Sequence, residues 1–114
     1  MLIVNADLVA PRDDGFSLKS GHFGHLLIDQ GINKVQFFGK PFTKVYELLE
    51  DKLIDTAPNK IIMCGDSLHT DILGAVTRGW QTVLVTSDGL FSGFETLKFC
   101  MTSNLFPDWR LPSI

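Results

Sequence analysis

Short apolar runs alternate along the chain with stretches in which apolar residues recur every three or four positions, a pattern that predicts strands separated by helices. Leu2 to Val4 is an apolar run of strand character. It is ended by Asn5 and Asp7 and followed by the polar, turn-prone stretch Pro11 to Gly15, which predicts a loop. Phe23, Leu26 and Leu27 then recur at helical spacing behind Ser20, a good capping residue, with Gly31 as the stop. Val35 to Phe38 predicts another short strand, closed by Gly39.

The periodicity sharpens further on. Pro41 suits the first position of a helix whose apolar face is Phe42, Val45, Tyr46, Leu49 and Leu53. Lys60 to Cys64 is a continuous apolar run, the pattern of a strand buried on both faces, and Gly65 turns the chain after it. Leu68, Ile72, Ala75 and Val76 share one helical face that Gly79 ends, and Gln81 to Val85 predicts a further buried strand. The tail from Phe91 is only partly readable. Strands alternating with helices of this size imply right-handed crossovers and a parallel sheet whose strand ends share one edge. Lys40, Asp66 and the Thr86 to Gly89 turn are expected to converge there, where open α/β sheets bind ligands.

Composition narrows the field without naming a function. A chain of 114 residues, 45% hydrophobic and 20% charged, predicts one soluble domain with a single core. The net charge of −3 and the scattered Lys and Arg residues argue against a nucleic-acid partner. No apolar run approaches a membrane span, and MLIVNADLVAPR has neither the basic leader nor the apolar length of a signal peptide, so a cytoplasmic protein is expected. Cys64 and Cys100, both in apolar surroundings and without paired spacing, read as reduced core residues. The chain starts almost inside a strand, which raises the expectation of an upstream segment.

Two stretches carry chemistry. Gly65-Asp66-Ser67-Leu68-His69-Thr70-Asp71 places one carboxylate straight after a buried strand and a second a helical turn later. Oxygen ligands of this kind suit magnesium, which takes one or two carboxylates, keeps several waters and completes its shell with phosphate; as plain structure, Asp66 is a turn residue and Asp71 an acid at a helix N-terminus. Gly39-Lys40-Pro41 sets an ammonium ahead of a helix at the same edge, where a phosphate finds complementary charge. The bland alternative there is a solvated surface lysine. His22 and His25 are three apart without a Cys or acid motif to complete a zinc site, and His69 reads as an exposed residue of the acidic loop. There is no nucleophile-elbow serine and no Gly-rich dinucleotide fingerprint, which disfavours a serine hydrolase and a complete Rossmann-like or receiver-like domain.

The order GKP, helix, apolar strand, GDSLHTDILGA resembles the third and fourth signature motifs of the haloacid-dehalogenase (HAD) phosphatases. NADLVAPRD and SGHFGHLLIDQG resemble the later part of the cap domain in the class IIA branch, whose members include sugar-phosphate, nitrophenyl-phosphate and pyridoxal-phosphate phosphatases. The resemblance covers about residues 2 to 90 and is strongest between Phe38 and Val85. It implies an α/β fold: part of a Rossmann-like parallel sheet with flanking helices, residues 39–114, preceded by a cap remnant, residues 1–38. By the same resemblance Lys40 steadies the nucleophile and the substrate phosphate, Asp66 ligates Mg2+, and Asp71 supports the metal site or orients Lys40. Ser67 assists at that loop, while Asn5 and Asp7 belong to the cap and govern substrate access.

The family reaction is attack by an aspartate on a phosphomonoester, giving an aspartyl-phosphate that water hydrolyses. It requires Asp-x-Asp-Gly at the end of an early strand, and this chain has none. Asp13-Asp14-Gly15 and Ser87-Asp88-Gly89 stand in the wrong places, and Asn5-Ala6-Asp7 offers an amide where the nucleophile belongs. The expected function is therefore the C-terminal portion of a magnesium-dependent phosphomonoester hydrolase, inactive alone, acting on a small phosphorylated metabolite. A non-catalytic binding or interaction module on the same fold is the alternative. The strand that the resemblance places beside Lys60 to Cys64 is absent, so self-association or a complementary N-terminal fragment is expected at that edge.

Overall fold

The computed structural model describes residues 1–114. Strands β1 (Leu2–Ile3), β2 (Val9–Arg12) and β3 (Gly15–Leu18) precede helix α1 (Ser20–Asp29) and strand β4 (Gln36–Phe37). Helix α2 (Thr43–Glu50), a 3-10 turn at Pro58–Lys60 and strand β5 (Ile62–Gly65) follow. A π-turn at Leu68–Ile72 then runs into α3 (Leu73–Val76), and β6 (Gln81–Val85), α4 (Thr96–Ser103) and β7 (Trp109–Leu111) complete the chain.

The main sheet is parallel throughout, in the order β5-β6-β7, with helices flanking it. Its middle strand is the apolar centre: Thr82, Val83, Leu84 and Val85 are all buried, as a continuous apolar run in a parallel sheet requires. Leu84 packs with Leu68, Ile72, Phe91 and Cys100, and a second cluster joins Tyr46, Ala75 and Trp80, so there are two small cores where the composition predicts one. Asp108 fastens the last strand. Its Oδ2 accepts from Thr82 N at 2.8 Å and Thr82 Oγ1 at 2.9 Å, while its own N–H donates to Thr82 Oγ1 at 3.0 Å.

The α/β architecture with parallel strands is the one the alternating pattern predicts. Several details differ. The strands form three sheets rather than one, because β1 pairs only with β4 and the stretch read as a loop from Pro11 to Gly15 belongs to a hairpin of β2 and β3. Pro11 is tolerated there because both strands of an isolated hairpin are edges. Helix α2 starts at Thr43, with Phe42 as its cap in extended conformation, and ends at Glu50, so Pro41 and Leu53 lie outside it. Glu50 is held at that end by Arg78, whose Nε donates to Oε1 at 2.7 Å. The predicted helix from Leu68 begins instead as a π-turn, with Ile72 N–H reaching back to Ser67 O at 3.1 Å.

Burial also departs from the apolar pattern. In α1 the buried positions are Gly21 and Gly24, while Phe23 and Leu26 are exposed. A Cβ on Gly24 would lie 2.8 Å from the Phe37 ring, so the helix packs through its glycine face. β5 is not buried on both faces: Ile62 is 52% exposed and Cys64 is exposed, and the strand pairs only with β6, which leaves its other edge open. Only Cys100 is a core cysteine. The elements of residues 1–37 make their main contacts with one another, and those from Ile62 onward do likewise. No helix is long and apolar enough to cross a membrane.

Candidate functional site

The C-terminal end of β5 delivers Asp66, and the following turn folds Asp71 back beneath it. Glycine at position 65 makes this possible, since a Cβ there would lie 2.3 Å from Asp71 Cγ. The Asp71 side chain, only 3% exposed, accepts the Ser67 N–H at 3.2 Å with Oδ2 and pairs with the Lys40 ammonium through Oδ1. Ser67 caps the turn, its Oγ accepting from Thr70 N at 3.4 Å and lying 3.3 Å from His69 Nδ1.

Asp66 is anchored by the turn after β6. Leu90 N–H donates to Asp66 Oδ2 at 2.8 Å, and Gly89, at φ +96°, has no room for a side chain because a Cβ would lie 2.1 Å from that oxygen. Asp66 Oδ1 has no partner within the chain. Lys40 arrives from the other side, on the segment after β4. Gly39, at φ +81°, lets that segment pass close over the end of β1, where a Cβ would lie 2.9 Å from Val4 O.

These groups line one cavity of about 100 Å³, to which Lys40, Asp66, Ser67, His69, Thr70 and Asp71 contribute one part of the wall. The rest includes Asp7 and the β2 residues Val9, Ala10 and Pro11. The structure thus brings Lys40, Asp66, Ser67, Asp71 and Asp7 together, and Asn5 stands one step back: its Oδ1 accepts the Asp7 N–H at 2.6 Å. His22 and His25 lie on α1 outside this cavity. Sequence reasoning missed two contributors, the Leu90 amide and the β2 wall. The second had a signal, the Asp14-Gly15 turn between short runs, which Pro11 obscured.

Tyr46 braces the site from behind. Its hydroxyl donates to Thr70 O at 3.1 Å, and Gly74 leaves room for it, since a Cβ there would lie 1.9 Å from the oxygen. Burial, with a further contribution from the Asp71 carboxylate, pushes its pKa from 10.0 up to about 12. The raised value keeps the proton on the folded chain after the unfolded chain has begun to lose it. Stability is therefore intact below pH about 10 and falls as pH rises from there through about 12, by roughly 2 to 3 kcal/mol. Tyr46 is the only tyrosine, so phenolate absorbance reads it directly. The expected midpoint is about 12 in the folded chain, and Tyr46→Phe flattens the alkaline fall in stability; a midpoint near 10.0 contradicts this account.

No three His, Cys, Asp or Glu side chains converge to hold a metal ion between them, which does not fit a zinc site. The donor set does fit magnesium, which is held through one or two carboxylates and otherwise by water and substrate phosphate. Asp66 has the free oxygen for it. Both Asp71 oxygens are already engaged, by Lys40 and by the Ser67 amide. Asp7, Asp66 and Asp71 line the cavity against a single lysine, an excess of negative charge that a divalent cation offsets.

The sequence pattern of the HAD-hydrolase-like family matches residues 37–98, and the chain belongs to that family. A possible sugar phosphatase of the HAD superfamily from Cytophaga hutchinsonii has the same fold over 98% of this chain, with a TM-score of 0.83 and 23% identity. A thermostable NPPase from Geobacillus stearothermophilus is 31% identical over 96% of the chain with a TM-score of 0.66. A p-nitrophenyl phosphatase from Archaeoglobus fulgidus is 26% identical over 96%, with a TM-score of 0.70. In Schizosaccharomyces pombe, a cardiolipin synthase (CMP-forming) / mitochondrial hydrolase fusion protein is 33% identical over 70 residues, 54% of this chain. The chain spans 40%, 40% and 41% of those three structures and 12% of the fusion protein.

Proposed function

We propose that this chain supplies the lysine- and magnesium-bearing half of a site that binds a small phosphomonoester, and that it does not turn the substrate over alone. The observation that carries this reading is the convergence of Lys40, Asp66 and Asp71 on one cavity at the end of β5. Lys40, turned toward the cavity by Asp71, binds the phosphate, and Asp66 Oδ1 holds Mg2+. Ser67 donates its hydroxyl hydrogen at the cavity wall, and Asn5 and Asp7 act on the remainder of the substrate. Magnesium, when bound, neutralises charge on the phosphoryl oxygens. In this reading residues 1–38 are the cap remnant and 39–114 the core portion, consistent with their separate sets of contacts. The attacking carboxylate comes from a strand outside residues 1–114, which pairs parallel to the open edge of β5 and so ends beside Asp66.

Calorimetric titration with inorganic phosphate tests the site without requiring turnover. Binding is expected with Mg2+ present, weakened at least about tenfold without it and by Asp66→Asn. Magnesium-independent binding, or none at all, overturns the reading. Hydrolysis of p-nitrophenyl phosphate that Asp7→Asn abolishes would instead make Asp7 the attacking group, a role its place in the cavity permits.

A further inference from the structure

One carboxylate on the cavity wall is left unpaired by the chain. Asp7 takes part in no ion pair, and no group of the chain donates a hydrogen bond to its side-chain oxygens. Its backbone, by contrast, is fixed at both ends. The N–H donates to Asn5 Oδ1 at 2.6 Å, and the carbonyl accepts from Gly21 N at 3.2 Å. Asn5 is itself held, its carbonyl accepting the Ser20 hydroxyl at 2.9 Å. Helix α1 closes against this turn without a gap, since a Cβ on Gly21 would lie 2.2 Å from Ala6 O. An acid positioned this firmly, half buried and unpaired, is stabilised by a ligand that brings it a donor.

The charge pattern settles which end of a ligand meets it. Lys40 is the only lysine or arginine lining the cavity, so a phosphate is drawn to Lys40 and repelled by Asp7. Asp7 therefore meets the alcohol portion of a phosphomonoester, beside the apolar surface of Val9 and Pro11 on β2. We propose that Asp7 selects phosphomonoesters whose alcohol portion carries a hydroxyl or ammonium hydrogen-bond donor, against those whose alcohol portion is hydrocarbon. Asn5 is a positioning residue that acts through the Asp7 amide. The selection rests on the phosphate-binding reading of the cavity given above.

Calorimetry with Mg2+ and four ligands separates the two: inorganic phosphate, propyl phosphate, glycerol 3-phosphate and O-phosphoethanolamine. The last two are expected to bind about tenfold more tightly than propyl phosphate, the effect of one hydrogen bond to a charged acceptor. In Asp7→Ala that ratio falls to about one. Asp7→Asn keeps part of the preference for glycerol phosphate, because the amide oxygen still accepts, and loses the preference for the ammonium. Asn5→Ala reduces both preferences without abolishing them. Equal affinities in the unaltered chain, or a preference that survives Asp7→Ala, overturn the selection while leaving the phosphate site standing. Failure of inorganic phosphate itself to bind overturns the site and the selection together.

Discussion

Replacing Lys40 with methionine destabilises the chain by about 3 kcal/mol, and replacing its partner Asp71 with asparagine by only about 1 kcal/mol. The asymmetry follows from where the two groups sit. The Lys40 side chain is 44% exposed and that of Asp71 3%. Losing Asp71 leaves an ammonium that water can still reach. Losing Lys40 strands a carboxylate in the interior with the Ser67 amide as its remaining donor. Urea unfolding of the two single variants and of Lys40→Met/Asp71→Asn reads the difference, and the double variant is expected to recover most of the Lys40→Met loss. A Lys40→Met cost within about 0.5 kcal/mol of zero, the range of an exposed surface pair, would show that Asp71 is not the buried anchor described above.

At the open edge of β5 the expected result is self-association of the chain when it is alone. The strand presents unpaired backbone groups along that edge together with Ile62, which is 52% exposed, and nothing blunts it: no lysine, proline or bulge lies between Ile62 and Gly65. Light scattering should give a mass that rises with concentration, and Ile62→Lys should shift the midpoint at least about tenfold toward monomer. A complementary polypeptide that pairs with β5 is expected to suppress the self-association and to protect the amides of residues 62–65 from exchange. A monodisperse monomer whose amides at 62–65 are already protected would mean that the edge needs no partner.

What could be read from the sequence was whatever depends on strand ends. The buried run Gln81 to Val85 and the acidic loop after β5 place Asp66 and the Thr86 to Gly89 turn together because a parallel sheet leaves its C-terminal ends nowhere else to go, whereas Lys40, which follows β4 in a separate sheet, joins them through its pair with Asp71. Where a residue's fate depends on a distant neighbour, the pattern failed. Ile62 and Cys64 look like two-sided core residues, but no strand of this chain covers that edge. Phe23 and Leu26 look like the inward face of α1, whereas the close approach to Ile3 and Phe37 admits only Gly24. The hairpin went unread because Pro11, usually a strand breaker, sits where no ladder bond is lost to a further strand. Asp7 and Asn5 were legible as substrate-side residues only through the family resemblance, since no local pattern shows that Asn5 and α1 hold the turn that puts Asp7 on the cavity wall.

The cavity lies on a seam, and that has a consequence for how the chain unfolds. Residues 1–37 and the β5-β6-β7 body each pack within themselves, and the Lys40–Asp71 pair stitches the segment between them to the body. A ligand that engages Asp7 on one side of the seam and Asp66 on the other is then a thermodynamic staple. Its binding free energy adds to the coupling between the two parts, by RT ln(1 + [L]/Kd), rather than to either part's own stability. Without ligand the two parts should melt in separable steps, with the N-terminal part loosening first; saturation should merge the steps into one cooperative transition whose midpoint climbs with ligand concentration.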